Sequence, residues 1–304
     1  MDDLRERVAG CALGLAIGDA LGAPFEFRRR EEVPDPLPAF ELSWNDRPPG
    51  TWTDDTAMAR SLWRSLVDAG GRLDVRDVLA RHLAWIRTDP PDAGALTRTV
   101  LHVAREATEP GEAARIVWER RGPEVSAGNG SVMYCAPLGA LRTRHREVLV
   151  EEAPALSAIT HWDERCRTAC LAVTLAAAGL VAGEDPALTV EAALAAVADR
   201  DGGEELEYLA AEAGRARRID GPDMGFTLFT AGVALQVAAQ ERGFEEGLRH
   251  VVSLGGDTDT NAAVAGALLG ARHGRTALPA TWLDRLADRE ALEREAEALA
   301  GLAP

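Results

Sequence analysis

Residues 10–22 read GCALGLAIGDALG, and this segment sets the fold class of the chain. Apolar side chains at helical spacing through it predict a helix over residues 3–19. Glycine recurs at every fourth position, which leaves one helix face without side chains: Gly10, Gly14, Gly18 and Gly22. Because each helical glycine costs up to about 1 kcal/mol relative to alanine, we expect another helix backbone to pack closely against this glycine ridge.

The rest of the 304-residue chain has the same helical character. Its composition is 46% hydrophobic, much of it alanine, and only 5% aromatic, and alanine has the best intrinsic helix propensity. Five prolines predict a long loop over residues 33–50. Glycine and proline separate the further predicted helices: 56–68, 74–88, 95–107, 111–120, 131–143, 146–152, 163–182, 188–199, 203–215, 225–241, 244–252, 260–272 and 279–300. We therefore predict an all-α fold with one domain over residues 1–304.

The charge of the chain argues against two classes of partner. The formal net charge is −16, and such a surface repels phosphate backbones and anionic lipid heads. The basic run at residues 28–30 is followed at once by two glutamates, so we interpret it as a solvated face. We expect no nucleic-acid partner and no membrane partner, and we expect a monomer.

The cysteines and the first residues indicate a reducing compartment. The four cysteines form no CxxC pair, so we interpret them as buried small hydrophobes: Cys11, Cys135, Cys166 and Cys170. Acidic residues occupy the start, where a signal peptide needs a basic region. We also expect no apolar run long enough to span a bilayer. These observations predict a cytoplasmic location.

Two acidic clusters stand at predicted helix starts, WTDDT at residues 52–56 and GGDTDTN at residues 255–261. Helix capping explains either cluster taken alone, because Asp and Thr accept backbone N–H bonds there. One cap residue serves a helix, however, and adjacent acids repel each other unless a cation lies between them. Oxygen ligands of this kind suit Mg²⁺ or Mn²⁺. Together the two clusters favour a metal site.

Two other interpretations of Asp257-x-Asp259-x-Asn261 fail. An EF-hand loop needs glycine at its sixth position and glutamate at its twelfth, where this chain has Ala262 and Leu268. Phosphatases with a nucleophilic aspartate at the end of a strand need alternating strands and helices, which this sequence does not predict.

Further polar residues are ambiguous by themselves. Asp19 lies near a helix C-terminus, where the helix dipole disfavours an acid, and Glu26 follows in a loop; alone, each is interpreted as a surface acid. The GNGS segment at residues 128–131 is typical of a turn, and its N–H groups also suit a pyrophosphate. Asp92 precedes a helix, and His161 is the histidine best placed for a functional role. Zinc spacing and a serine-hydrolase motif are both missing from the sequence.

Taken together, these segments identify a resemblance. The chain resembles the ADP-ribosylglycohydrolase family, which includes ADP-ribosylhydrolases and the dinitrogenase-reductase-activating glycohydrolase. The matching segments follow the order of the family and extend over nearly the whole chain: GCALGLAIGDALGAPFEF (10–27), TWTDDTAMA (51–59), PPDAGALT (90–97), SAGNGSVMYCAPLG (126–139), SAITHWD (157–163) and SLGGDTDTNAAVAGALLGA (253–271). The resemblance implies an orthogonal bundle of many helices with a central cleft that holds two Mg²⁺ ions.

The resemblance also implies roles for individual residues. It implies an ADP-ribosylated protein or a small ADP-ribose conjugate as the substrate. The implied metal ligands are Thr53, Asp54, Asp55, Asp257, Asp259 and Thr260. The implied catalytic residues are Glu26, Asp55 and Asp259, and either Glu26 or a metal-bound aspartate handles the proton. The implied substrate contacts are Asp92, Ser126, Gly128, Asn129, Ser131 and His161.

The resemblance has two local departures. Tyr134 stands where many relatives have arginine, and Ala127 stands where some relatives have the aromatic residue that stacks on adenine. Either other residues such as Phe226 or Trp44 would hold adenine here, or adenine would be held only loosely. The implied reaction is Mg²⁺-dependent release of ADP-ribose, from arginine in the first instance. Serine-linked, ester-linked and small-molecule conjugates remain alternatives, as does a non-catalytic ADP-ribose-binding or structural protein.

Overall fold

The computed structural model describes residues 2–212 and 219–303. Fifteen α-helices occupy the described residues: α1 Asp2–Gly22, α2 Asp54–Asp68, α3 Val75–Ile86, α4 Ala95–Val103, α5 Glu112–Arg121, α6 Val132–Ala140, α7 Leu149–Ser157, α8 Glu164–Val181, α9 Pro186–Ala195, α10 Gly203–Glu212, α11 Thr227–Ala239, α12 Phe244–Val252, α13 Thr258–His273, α14 Ala280–Leu283 and α15 Arg289–Ala300. Over those same residues, pairing of extended backbone is limited to three isolated bridges. The all-α prediction is confirmed.

The glycine ridge of α1 packs against a second glycine pair on α13. A Cβ atom added at Gly14 would lie 2.2 Å from the carbonyl oxygen of Gly266, and one at Gly10 would lie 2.4 Å from that of Gly270. One at Gly18 would lie 1.9 Å from the carbonyl oxygen of Ala262. No side chain fits at these positions, so the two backbones are in direct contact, as the ridge predicted. We call this contact the glycine seam.

The apolar character of α1 follows from its burial in the protein. The segment Asp3–Phe25 is long and apolar enough to cross a membrane by length and composition, and 94% of its most apolar window is buried inside the protein. The expectation that no run would reach that length is therefore wrong. The helix is apolar because it lies at the centre of the hydrophobic core, with α13 on one side and α2, α6 and α15 around it.

Several helix boundaries differ from the predictions. The predicted helix over residues 279–300 is divided, because the chain turns between α14 and α15 and Asp288 adopts a left-handed backbone with φ of 56°. The predicted helix over residues 146–152 is wrong in its bounds, since a short 3-10 turn precedes α7. Residues 213–215, predicted as the end of α10, lie outside the described residues.

The four cysteines are free and buried, as predicted. His82 is fully buried. Its ring lies 5.3 Å from that of Tyr134 in an edge-to-face contact. Tyr134 is itself completely buried, so its ring contributes to the packing of the core.

Candidate functional site

Asp19 holds the start of α2 in place. Its carboxylate is completely buried and accepts the backbone N–H groups of Thr53, at 2.9 Å, and Thr56, at 3.0 Å. The hydroxyls of the same threonines donate to it at 2.9 and 2.5 Å. Burial raises the pKa of Asp19 to about 6 despite these four donors. The interpretation of Asp19 as a surface acid is wrong, because the packing of α1 against α2 encloses the end of α1.

The two acidic clusters do not serve as ordinary helix caps. Thr53 and Asp257 occupy the N-cap positions of α2 and α13, and neither side chain accepts a capping hydrogen bond. Asp19 supplies the cap of α2 from a different helix. The capping alternative therefore leaves the acids of both clusters without a structural role.

The carboxylates of the two clusters converge with Glu26. The ligand atoms of Glu26, Asp257 and Asp259 lie within 4.8 Å of one another. Asp55 lies close enough for its negative charge to raise the pKa of Asp259. Segments that lie about 200 residues apart in the chain thus meet because the glycine seam brings the end of α1 to the start of α13. At that junction the Thr258 hydroxyl donates to the carbonyl of Gly22 at 2.8 Å.

Burial and mutual repulsion raise the pKa values of these acids. The pKa of Glu26 rises to about 7, first through burial and then through the charge of Asp257, while a hydrogen bond from Trp44 opposes the rise. The pKa values of Asp54, Asp55 and Asp259 are held well above their ordinary range for the same two reasons. Oxygen Oδ1 of Asp55 is buried and has no hydrogen-bond partner among the described residues.

This donor set fits divalent cations. Buried carboxylates that repel one another are costly unless positive charge compensates them, and the unpaired oxygen of Asp55 has a free lone pair for a ligand bond. All donors are hard oxygen atoms, the type that Mg²⁺ and Mn²⁺ prefer. Among the described residues, the group whose ligand atoms lie close enough together to hold an ion consists of Glu26, Asp257 and Asp259.

A cleft of about 380 Å³ lies in front of the acids. Glu26 and Phe27 line it, and because the Phe27 side chain is exposed we call this side the mouth of the cleft; Asp54 and Asp92 line it as well. The N–H of Gly94 donates to Asp54 at 3.2 Å, so the loop before α4 is tied to the start of α2. Asp92 and Asp54 repel each other at this wall.

The GNGS loop forms the opposite wall. Asn129 donates through Nδ2 to Asp257, at 2.9 Å, and to Thr230, at 3.0 Å, which ties this loop to the second acidic cluster. The N–H groups of Gly128, Gly130 and Ser131 have no backbone acceptor in the part of the chain that the structure describes. These free donors precede α6, where the helix dipole favours an anion.

His161 lines the cleft behind this loop. It is buried, its Nδ1 lies 2.9 Å from the Thr160 hydroxyl, and burial lowers its pKa to about 4, so the ring is neutral. A Cβ atom added at Gly130 would lie 2.8 Å from the ring and 3.0 Å from the Thr97 hydroxyl. The loop approaches the histidine this closely because residue 130 is glycine.

Two of the residues predicted to contact the substrate, Ser126 and Ser131, have hydroxyl groups that bond to other residues inside the protein. The Ser126 hydroxyl donates to the carbonyl of Gly122 at 2.6 Å, and the Ser131 hydroxyl lies 3.0 Å from that of Ser157. Both serines are buried. Their structural contribution is to hold the GNGS loop, whose backbone forms the wall.

A second cavity of about 460 Å³ adjoins the cleft at Gly128. Phe226 and Arg165 line it, and the guanidinium lies 5.7 Å from the centre of the ring. Trp44, the other aromatic considered for adenine, is buried and bonds to Glu26. Of the two, Phe226 is therefore the one beside an open cavity.

Sequence reasoning missed three participants in this arrangement. Asp19 was assigned to the surface because the sequence does not reveal which helix end covers it. Phe27 and Gly130 lie inside segments that match the family, but no residue pattern in the sequence indicated a role for either of them. For Asp19, its unfavourable position at a helix C-terminus was a usable clue.

Comparisons with known proteins show which family the chain is similar to. The model of the ADP-ribosylglycohydrolase family matches residues 1–304. The chain is 30% identical to the ADP-ribosyl-dinitrogen reductase glycohydrolase of Rhodospirillum rubrum, over 99% of this chain and 97% of that protein. It is 27% identical to the ADP-ribosylarginine hydrolase Tri1 of Pseudomonas putida, over 98% of this chain and 79% of that one.

A solved structure described as an ADP-ribosylglycohydrolase-related protein complex superposes on the whole chain. The TM-score is 0.79 with 31% sequence identity, and the match covers 100% of both chains. Family model, relatives and solved structure all point to the resemblance inferred from the sequence. The chain therefore belongs to the ADP-ribosylglycohydrolase family of glycosidases.

Proposed function

We propose that this protein is a magnesium-dependent hydrolase that releases ADP-ribose from modified arginine side chains of proteins in the cytoplasm. The observation that carries the proposal is the convergence of two acidic clusters and Glu26 at one cleft. Relatives named as an ADP-ribosylarginine hydrolase and a dinitrogen reductase glycohydrolase support the same reaction class.

The charge of the cleft favours a cationic leaving group. Five carboxylates line it, Glu26, Asp54, Asp92, Asp257 and Asp259, and a sixth, Asp55, is buried next to them. No arginine or lysine lines it within the described ranges. Two divalent ions would offset four negative charges, which leaves the mouth acidic. A guanidinium is attracted to such a mouth, whereas a neutral serine or ester linkage gains nothing from it.

The proposed metal ligands are the six residues of the two clusters: Thr53, Asp54, Asp55, Asp257, Asp259 and Thr260. Bound Mg²⁺ or Mn²⁺ would supply Lewis-acid stabilisation and fix the vicinal hydroxyls of the ribose next to the scissile bond. Asp19 accepts a hydrogen bond from the N–H of Thr53 and so fixes the position of the start of α2. Asn129 donates a hydrogen bond to Asp257 and fixes the position of its carboxylate.

Glu26 is suited to move the proton. It lines the cleft within 4.8 Å of Asp257 and Asp259, and in the metal-free protein burial and the charge of Asp257 raise its pKa to about 7, so this carboxyl group is placed to act as a general acid or base. Asp55 and Asp259 are the alternative catalytic carboxylates. Oxygen Oδ1 of Asp55 has no hydrogen-bond donor among the described residues, so it is free to accept a proton. Attack of water at the anomeric carbon needs one of these groups to accept a proton.

The walls of the cleft are suited to the rest of ADP-ribose. The free N–H groups of the GNGS loop would bind the diphosphate, with neutral His161 behind it. The adjoining cavity at Phe226 and Arg165 would take the adenosine end. Asp92 would contact the substrate from the opposite wall.

The test is a panel of arginine-, serine- and ester-linked ADP-ribose substrates assayed with EDTA, Mg²⁺ or Mn²⁺. We expect release of ADP-ribose from the arginine linkage with Mg²⁺ and a loss of at least about a hundredfold with EDTA. Equal turnover in EDTA would overturn the metal assignment. Binding of ADP-ribose without release from any substrate would show that the protein is a non-catalytic ADP-ribose-binding protein.

A further inference from the structure

Phe27 is an aromatic residue without a structural reason for its exposure. Its side chain is 59% exposed and lines the mouth of the cleft next to Glu26. In the described part of the chain no other ring and no guanidinium stacks on it, while the neighbouring Arg28 lies over Phe25. The ring therefore gains little from burial or from contacts within the protein.

The backbone at Phe27 makes the choice of residue more unusual. Its φ is 61°, in the left-handed region that favours glycine or asparagine. The conformation is held by the loop that leads into Asp257, because the Phe27 N–H donates to Gly256 at 2.7 Å and the Gly256 N–H donates to Arg28 at 2.8 Å. Glycine would form this turn with less strain. The presence of phenylalanine therefore indicates that the aromatic ring itself has a role at this position.

We propose that the face of the Phe27 ring binds the planar cationic leaving group of the substrate. This inference rests on the proposed function, because it assigns the residue that recognises the arginine side of the bond. A guanidinium stacks favourably on an aromatic face. The ring lines the same cleft as the carboxylates of Glu26, Asp54 and Asp92, and a guanidinium prefers this combination of hydrogen-bond acceptors and an aromatic face to a greater degree than a neutral group does.

The test compares Phe27→Ala and Phe27→Trp with the wild type and with Tyr208→Ala, an equally exposed aromatic in α10 that lies outside the cleft. Arginine-linked and serine-linked ADP-ribose are assayed in parallel, and affinity for free ADP-ribose is measured by calorimetry. We expect Phe27→Ala to raise KM for the arginine linkage about tenfold with kcat within about threefold. Phe27→Trp restores KM, and Tyr208→Ala changes neither value.

Affinity for free ADP-ribose and the kinetics of the serine linkage stay within about twofold in Phe27→Ala, since neither carries a cation. An equal loss of affinity for every ligand would overturn the inference and would indicate that Phe27 positions Glu26. An unchanged KM would overturn it directly. If the wild type cleaves no arginine linkage, the proposed function fails by itself, and weaker binding of a non-cleavable arginine conjugate by Phe27→Ala would still support the inference.

Discussion

The glycine seam and the acidic cleft are built on the same two helices and have opposite properties. Along the seam, α1 and α13 touch backbone to backbone and carry no charge, and a Cβ atom at Gly14 or Gly266 would lie 2.2 or 2.1 Å from a carbonyl oxygen. One helical turn beyond it, the same pair presents buried acids that repel one another. The rigid seam positions a cluster that would not stay together by its own energetics.

This contrast has a clear physical meaning. Close packing stabilises the protein without any ligand, whereas buried like charges reach low energy only when cations bind. Substitutions in the seam should therefore damage folding, and substitutions in the cleft should damage activity while sparing folding.

The largest effect is expected from Gly14→Val. The new side chain would overlap the backbone of Gly266, and both helices are central to the core, so we expect a loss of more than about 5 kcal/mol and little folded protein. Circular dichroism and thermal melting measure this. The matched control is Gly243→Ala, where an added Cβ meets no atom within 4 Å; a normal melt for Gly14→Val would show that the seam is not tight.

Asp259→Asn should separate activity from folding. We expect turnover to fall by at least about a hundredfold because a proposed metal ligand is lost, while the metal-free variant melts at or above the wild-type temperature because one buried charge is gone. Asp199→Asn, at an exposed position, serves as control. Full activity in Asp259→Asn would contradict the role assigned to this carboxylate.

Asp19→Asn tests the connection between the two regions. One carboxylate oxygen becomes an NH₂ group that faces the N–H donors of Thr53 and Thr56, so we expect a loss of about 3 kcal/mol in unfolding free energy. Chemical denaturation provides the value. Asp185→Asn is the comparison, because Asn caps α9 about as well as Asp; equal stability of both variants would mean that the bonds to Asp19 contribute little.

The smallest effect concerns pH and Mg²⁺. In the metal-free protein the folded pKa values of Asp19 and Glu26, about 6 and 7, lie above those of unfolded carboxyls near 4. Their contribution to stability is therefore present below about pH 4 and is lost as the pH rises through 6 to 7. At pH 8 we expect Mg²⁺ about thirtyfold above its Kd to add about 2 kcal/mol, and this gain should shrink towards pH 5.

Calorimetric melts with EDTA or Mg²⁺ across this pH range provide the measurement for the last prediction. The variant Glu26→Gln should show a smaller dependence between pH 6 and 8, because its side chain does not titrate. A gain from Mg²⁺ that is the same at pH 5 and pH 8 would argue against carboxylate ligands.

Much of the site was predictable residue by residue. The two acidic clusters and the GNGS loop lie in segments where residue type and spacing already indicate chemistry, and the structure brings Glu26, Asp257 and Asp259 together. Asp19 and Phe27 were not predictable in their roles. The burial of Asp19 depends on the docking of α1 against α2, and the exposure of Phe27 depends on a turn held by Gly256.

By itself, the amino-acid sequence determined the helical fold, the ridge of small residues on α1 and the oxygen-rich chemistry of the acid clusters, because these follow from local spacing and residue type. The tertiary structure decided which helix meets the ridge, which acids share a site and which polar atoms remain without partners. Those properties arise from contacts between residues up to about 260 positions apart, where close packing selects one arrangement that no local pattern contains.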